Sequence, residues 1–418
     1  MRIRYAHIAE RTFRIISRDR RCDPGLARSA GRVLPVANAN MLMTSAIIAI
    51  SLHRSAARCV CSSTRRGLTA LAAIIIVASC ARDNVRKESA GSSYFDHAEL
   101  SPVQLSGSLL SDAPSIARPL LLQPSGGILW VSDAASDPGL HALNADSGEL
   151  LYSVGTRGNG PGEFASSPFG LAAAPADTEI GAVWAFDMQL QRLTRFKPLP
   201  LADYDIETIQ LQGPPNAWRI AWAQPERIIA QSNSIGQRFG IFAIDGSRLQ
   251  TVPGAVVGPA DAPIAERLRA TNESVRMCAW PKHGFALANA WFGQIEYYDL
   301  DARPVRTASV PYKSEPTFTH SDDGEVTFEP ERHWYVGCAA TTEHLYALFS
   351  GRRIAAYEGS TASSAEYMHV FGWDGDLVAT YKFDHEISGI GISPSGETLY
   401  AASVVEGKIF RYDMPTIP

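Results

Sequence analysis

No uninterrupted apolar run in this sequence reaches the roughly 20 residues a membrane-spanning helix needs. The two longest near the start, Met41–Leu52 and Leu68–Ser79, stop at about half of that. Lysine is absent from the first 79 residues, which carry 13 Arg against only Glu10, Asp19 and Asp23. The ten His include no His-x-His or His-Glu-x-x-His spacing, which argues against a local zinc site. There is no Gly-x-Ser-x-Gly elbow for a serine nucleophile. Beyond residue 100 no long 3.6-residue apolar periodicity appears, so a helical body is excluded. Cationic charge is scarce after residue 79: 25 of the 38 Lys and Arg face 40 of the 43 Asp and Glu there, a balance near −15 where the whole chain has −5. So acidic a body has no general attraction for nucleic acid or anionic headgroups.

The second apolar run has the anatomy of an export signal, with Arg65-Arg66 before it and small residues after it. It ends Val77-Ala78-Ser79-Cys80, which resembles a bacterial lipobox and implies lipidation at Cys80. The plain alternative is a buried apolar helix that happens to precede a cysteine. The lipobox reading divides the chain into a signal peptide over 60–79, a polar tether over 80–100 and a folded body over 101–418. Residues 1–59 then belong to a mis-assigned start, with translation beginning near Val60, or to an Arg-rich disordered extension. Only Cys278 and Cys338 of the six cysteines fall in the body. They suit a disulfide in an exported protein or two buried thiols equally well.

What the body does have is short alternating strands punctuated by Gly, Asp and Pro. Four turns share one pattern: Asn144-Ala145-Asp146-Ser147-Gly148, Asp245-Gly246, Asp374-Gly375 and, more loosely, Asp299-Leu300-Asp301-Ala302. Asp or Asn bonds nearby backbone there, and Gly allows positive φ. Pairs of apolar strands opening near Arg118, Phe169, Trp218, Arg276, Trp334 and Ile387 make six cycles, spaced as the blades of a propeller are. The expected fold is therefore all-β: a six-bladed β-propeller of four-stranded antiparallel blades, with seven blades as the rival. The last cycle lacks a fourth strand, and Val103–Leu110 is expected to supply it and close the ring.

A family resemblance rests on the second cycle. Gly155-Thr156-Arg157-Gly158-Asn159-Gly160-Pro161-Gly162-Glu163-Phe164 precedes Pro168-Phe169-Gly170-Leu171, then Trp184-Ala185-Phe186-Asp187, then Arg192 through Phe196. This order resembles an NHL-type repeat of the TolB-like six-bladed propeller lipoproteins of bacteria. The resemblance implies the fold and export rather than an activity, and some similar propellers are lactonases or lyases.

The candidate chemistry is sparse. The Gly-rich run 155–162 lacks the Lys-Ser/Thr and following helix of a phosphate loop, so its glycines are expected to ease a crossing between blades, with Phe164 packed between them. Asp322-Asp323-Gly324-Glu325 lacks the alternating oxygens of a calcium loop and reads as a solvated turn. No cofactor is expected, although calcium or another divalent ion in the channel would leave no local motif. Aligning the innermost strands places Arg118, Phe169 and Arg219 at equivalent positions, with Arg276 one place out of register and His333, Trp334 and Tyr335 opening the fifth cycle. Converging arginines and aromatics suit an anionic or carbohydrate-like ligand; the alternative is that each Arg pairs with an acid of a neighbouring blade. Trp218, Trp222, Trp280, Trp291, Trp334 and Trp373 either form an interface patch or wedge between blades. The expected role is a non-catalytic scaffold binding an envelope protein, peptide or glycan, with membrane contact through the lipid and none with nucleic acid. The alternative is a channel-mouth lyase or lactonase, possibly metal-assisted.

Overall fold

The computed structural model describes residues 91–94 and 101–417, apart from 174–179, 199–205, 214–216, 233–236, 255–256, 273–274, 281, 310–316, 322–323 and 355–362. Cys80, the signal peptide, the extension 1–59 and the Asp322-Asp323 pair lie outside the described residues.

Six four-stranded antiparallel blades follow one another. Their innermost strands are Pro119–Ser125, Gly170–Ala172, Ala217–Gln224, Val275–Trp280, Arg332–Ala340 and Gly389–Ile392, for blades 1 to 6 in order. The second strands Ile128–Asp133, Val183–Asp187 and Gly284–Asn289 are buried at every residue instead of at alternate ones. A propeller explains this, because both faces of each blade pack against a neighbour. Each of six apolar clusters is drawn from two adjacent blades. Trp130 of blade 1 meets Phe196 of blade 2, with Phe164 from the connection between them. Leu129 and Val131 of blade 1 meet Tyr400 and Ile409 of blade 6, which completes the circle.

The Asx turns take the expected form. Asn144 Oδ1 accepts from the N–H groups of Asp146 and Ser147, and Asp245, Asp299 and Asp374 accept likewise from residues two ahead. Gly148 has φ of 72°, and a Cβ there would lie 1.8 Å from the Leu110 carbonyl oxygen. That turn therefore needs glycine both for its backbone and for its approach to the neighbouring blade.

Ring closure differs in detail from the expectation. The segment 103–110 does not act as one strand. Val103–Gln104 pairs in parallel with Tyr381 and Lys382 on the outside of blade 5, and only Ser108–Ser111 completes blade 6, antiparallel to Lys408–Asp413. The break falls at Gly107, whose N–H donates to the Asp384 carboxylate at 3.0 Å. A third N-terminal piece, Gly91–Tyr94, adds in parallel to the outer strand Pro304–Ser309 of blade 4.

Two insertions interrupt the blades. The helix Ile264–Asn272 precedes the inner strand of blade 4, and the hairpin Thr317–His320/Val326–Glu329 precedes that of blade 5. They hold each other: the Glu266 carboxylate accepts from Phe328 N–H at 2.9 Å, and the Arg269 guanidinium donates to the Phe328 carbonyl at 2.9 Å. Among the described residues no helix is long and apolar enough to cross a membrane.

Candidate functional site at the channel mouth

The innermost strands of all six blades surround a cavity of about 530 Å³ along the ring axis. Its wall alternates apolar side chains such as Phe169, Ile220, Met277 and Ile390 with a few polar ones. Among the latter, Gln123 donates to the Pro124 carbonyl and Ser125 to that of Ala182, so their donors are engaged. Among the described residues Arg219 and Lys282 are the cationic ones of the wall, and no Asp or Glu lines it. The described wall is therefore cationic inside an acidic body. Among the described residues no group of three or more His, Cys, Asp or Glu stands close enough to hold a metal ion.

Arg219 sits at the start of the inner strand of blade 3, and among the described residues it has neither a hydrogen-bond nor an ion-pair partner. Burial lowers its pKa well below the usual guanidinium value, and the like charge of Arg276 lowers it further. Arg276 opens the inner strand of blade 4 and donates from Nε to the Val336 carbonyl at 2.8 Å. Burial brings its pKa down to about 10. His333 stands next in the ring, its imidazole 4.7 Å from the Trp291 ring. Burial, then the charge of Arg276, holds it neutral with a pKa of about 4. Sequence order explains the cluster: these residues begin consecutive inner strands, whose starts meet at one end of the channel.

The other candidates lie elsewhere. Arg118 is exposed and outside the cavity wall; its N–H caps onto Asp133. Trp334 is 3% exposed and packs on Phe349 in the core between blades 4 and 5. Tyr335 is fully buried, with its hydroxyl 3.2 Å from His369 Nδ1. Trp222 is buried too, whereas Trp218, Trp291 and Trp373 are half-buried; the Trp280 side chain lies outside the described ones. Cys278 and Cys338 form a disulfide in the cavity wall, joining the inner strands of blades 4 and 5. Their separation of 60 residues is one cycle of the repeat, a signal in the sequence that could have placed them side by side.

Two arrangements that resemble active centres serve the fold. Ser153 Oγ lies 2.7 Å from His141 Nδ1, and Asp133 Oδ2 lies 3.8 Å from His141 Nε2. The Asp133 carboxylate, however, already accepts from the N–H groups of Ala117, Arg118, Ala135 and Ser136. Burial raises its pKa, but the donors led by His141 outweigh burial and hold it well below the carboxylate range. Asp187 fastens the same loop of blade 2 through Ala165, Gln189 and Leu190, so the motif is a repeated structural clasp. The Gly-rich run 155–162 is likewise closed on itself. Gly160 N–H donates to Glu163 Oε2 at 2.8 Å, Arg192 holds the carbonyls of Gly160 and Glu163, and Phe164 is buried between blades.

Residues 227–395, from the second strand of blade 3 to the inner strand of blade 6, match the family model described as TolB-like 6-blade propeller-like. The match lies outside the Gly-rich cycle that suggested the same family. No curated protein matches the chain. Among solved structures, a Bacteroides fragilis protein whose name proposes only that it is exported aligns with TM-score 0.49 and 11% identity, over 78% of this chain and 99% of its own.

Proposed function

From a TolB-like six-bladed propeller as the premise, we propose an exported, lipid-anchored scaffold that binds an envelope protein, peptide or glycan at its channel mouth. The observation that carries the reading is the open axial cavity with Arg219 unpartnered in its wall. A folded scaffold has no structural use for a half-buried cation without a counter-charge, whereas a binding surface does. The Cys278–Cys338 disulfide supports export, since such bonds persist in oxidising compartments. Lipidation at Cys80 supplies the anchor, and the polar stretch ahead of the strand Gly91–Tyr94 the reach. The test is capture of partners from detergent-solubilised membranes with the lipidated protein, followed by mass spectrometry and elemental analysis. A stoichiometric envelope partner whose capture weakens with Arg219→Gln is the expected result. Metal-loaded protein with turnover of a lactone and no partner would replace the scaffold by the enzyme.

A further inference from the structure

The channel wall has a chemistry more specific than that of a general docking surface. Although the body has 36 Asp and Glu, none lines the cavity among the described residues, while Arg219 and Lys282 do. The two cations stand at opposite ends: Arg219 at the start of an inner strand, and Lys282 in the turn after the inner strand of blade 4. A low-dielectric tube lined by one sign of charge concentrates counter-ions. At its mouth the inner strands of blades 3 and 4 lie side by side and carry Arg219 and Arg276 near their starts, so an anion between the two like charges favours both.

The donor supply fits one headgroup. Arg276 uses Nε on the Val336 carbonyl, which leaves its terminal nitrogens, and Arg219 keeps its whole fork of N–H donors. Guanidinium forks match the paired oxygens of a carboxylate. The wall beyond the mouth is apolar at Phe169, Ile220, Met277 and Ile390, and the cavity of about 530 Å³ lies within the range that takes small organic ligands. Bare inorganic phosphate would leave that apolar wall unused. We propose that Arg219 and Arg276 form a site for a carboxylate carrying a small apolar body, held at the channel mouth with its body along the axis. Such a group is offered by a free organic acid or by the C-terminus of a peptide. The assignment rests on the channel being the binding surface.

Titration calorimetry on the intact exported protein tests it, with hexanoate, hexanamide and inorganic phosphate as probes. Hexanoate is expected to saturate below about 1 mM, as suits a ligand of its size, and hexanamide and phosphate to bind at least tenfold more weakly. Arg219→Gln should weaken hexanoate by roughly 10- to 100-fold, the range for losing charge-assisted hydrogen bonds. Arg219→Lys, which keeps the charge but not the fork, should fall between and guards against a misfolded Gln variant. Arg118→Gln, outside the cavity, should leave binding within about twofold of wild type. A peptide ending in Leu, with its C-terminus free or amidated, separates the two sources: binding of the free form at least as tight as hexanoate assigns the site to peptide ends, and its exclusion assigns it to free acids. Equal binding of hexanoate and hexanamide, no saturation by hexanoate, or an unchanged Arg219→Gln affinity overturns the proposal. If carboxylates fail while partner capture still depends on Arg219, the carboxylate assignment alone falls; if capture is also indifferent to Arg219, the channel-mouth reading falls with it.

Discussion

Replacing both Cys278 and Cys338 by Ala removes a cross-link between neighbouring blades without touching either sheet's ladder. The bond spans 60 residues of sequence, and closing a loop of that length in the unfolded chain is worth about 4 kcal/mol at 25 °C in the chain-entropy picture. Cys278 is also 8% exposed and packed in the cluster of blades 4 and 5, so losing its sulfur adds about 1 kcal/mol. The native ring itself should change little, because Tyr335, Phe349 and Phe371 already bury the same interface. The expected result is native far-UV circular dichroism with a urea midpoint lower by on the order of 1 M, taking a slope of about 4 kcal/mol/M for a body of this size. Wild-type protein unfolded under reducing conditions should reproduce that shift. A midpoint change below about 0.3 M in both experiments would refute the reasoning, because the two blades would then be joined as firmly without the bond.

Two further outcomes are expected. His333 has a folded pKa of about 4 against an ordinary 6.5, so the unfolded chain takes up the proton first as the pH falls. Its contribution is intact above about pH 6.5, is lost progressively down to about pH 4, and amounts to about 2 kcal/mol after allowing for partial exposure. Urea midpoints at pH 7.5 and pH 4 should therefore differ more in wild type than in His333→Gln, and equal differences would contradict the burial of a neutral imidazole beside Arg276. Gly148→Ala places a side chain at φ of 72° and against the Leu110 carbonyl, so it should destabilise by more than about 2 kcal/mol, read as a loss in midpoint.

The blades were legible because their signals are local. Asn144, Asp245 and Asp374 each set a turn whose geometry a few residues determine, and such turns fix where strands begin and end. The closure was legible only in outline, since nothing in Val103–Leu110 states that Gly107 will break it and send its two halves to different blades. At the channel mouth, alignment of the inner strands made Arg118, Phe169 and Arg219 equivalent and set Arg276 one place out of register. Phe169 and Arg219 line the cavity, whereas Arg118 lies outside it and Trp334 and Tyr335 are buried between blades. The strand Arg332–Ala340 carries register shifts on either side of Tyr335, and an irregular strand does not keep the alternation that tells inward from outward. Isolation of the Arg219 guanidinium among the described residues was beyond a sequence reading altogether, because a counter-charge could have come from any neighbouring blade.

The strand that completes blade 6 joins parts of the chain far apart in time as well as in space. Ser108 Oγ donates to the Arg411 carbonyl across 303 residues, so a strand that precedes every inner strand waits for one that follows them all. Until Lys408–Asp413 arrives, Ser108–Ser111 has no ladder, and the edge of blade 6 does not yet exist to receive it. Closing so long a loop adds little to the equilibrium cost, which grows only logarithmically with length, but such distant pairing is slow to find. Synthesis therefore delivers an open-sided stack of blades first and a ring only at the end. That interval is when a chaperone has an unpaired strand to hold, and when aggregation has its opportunity.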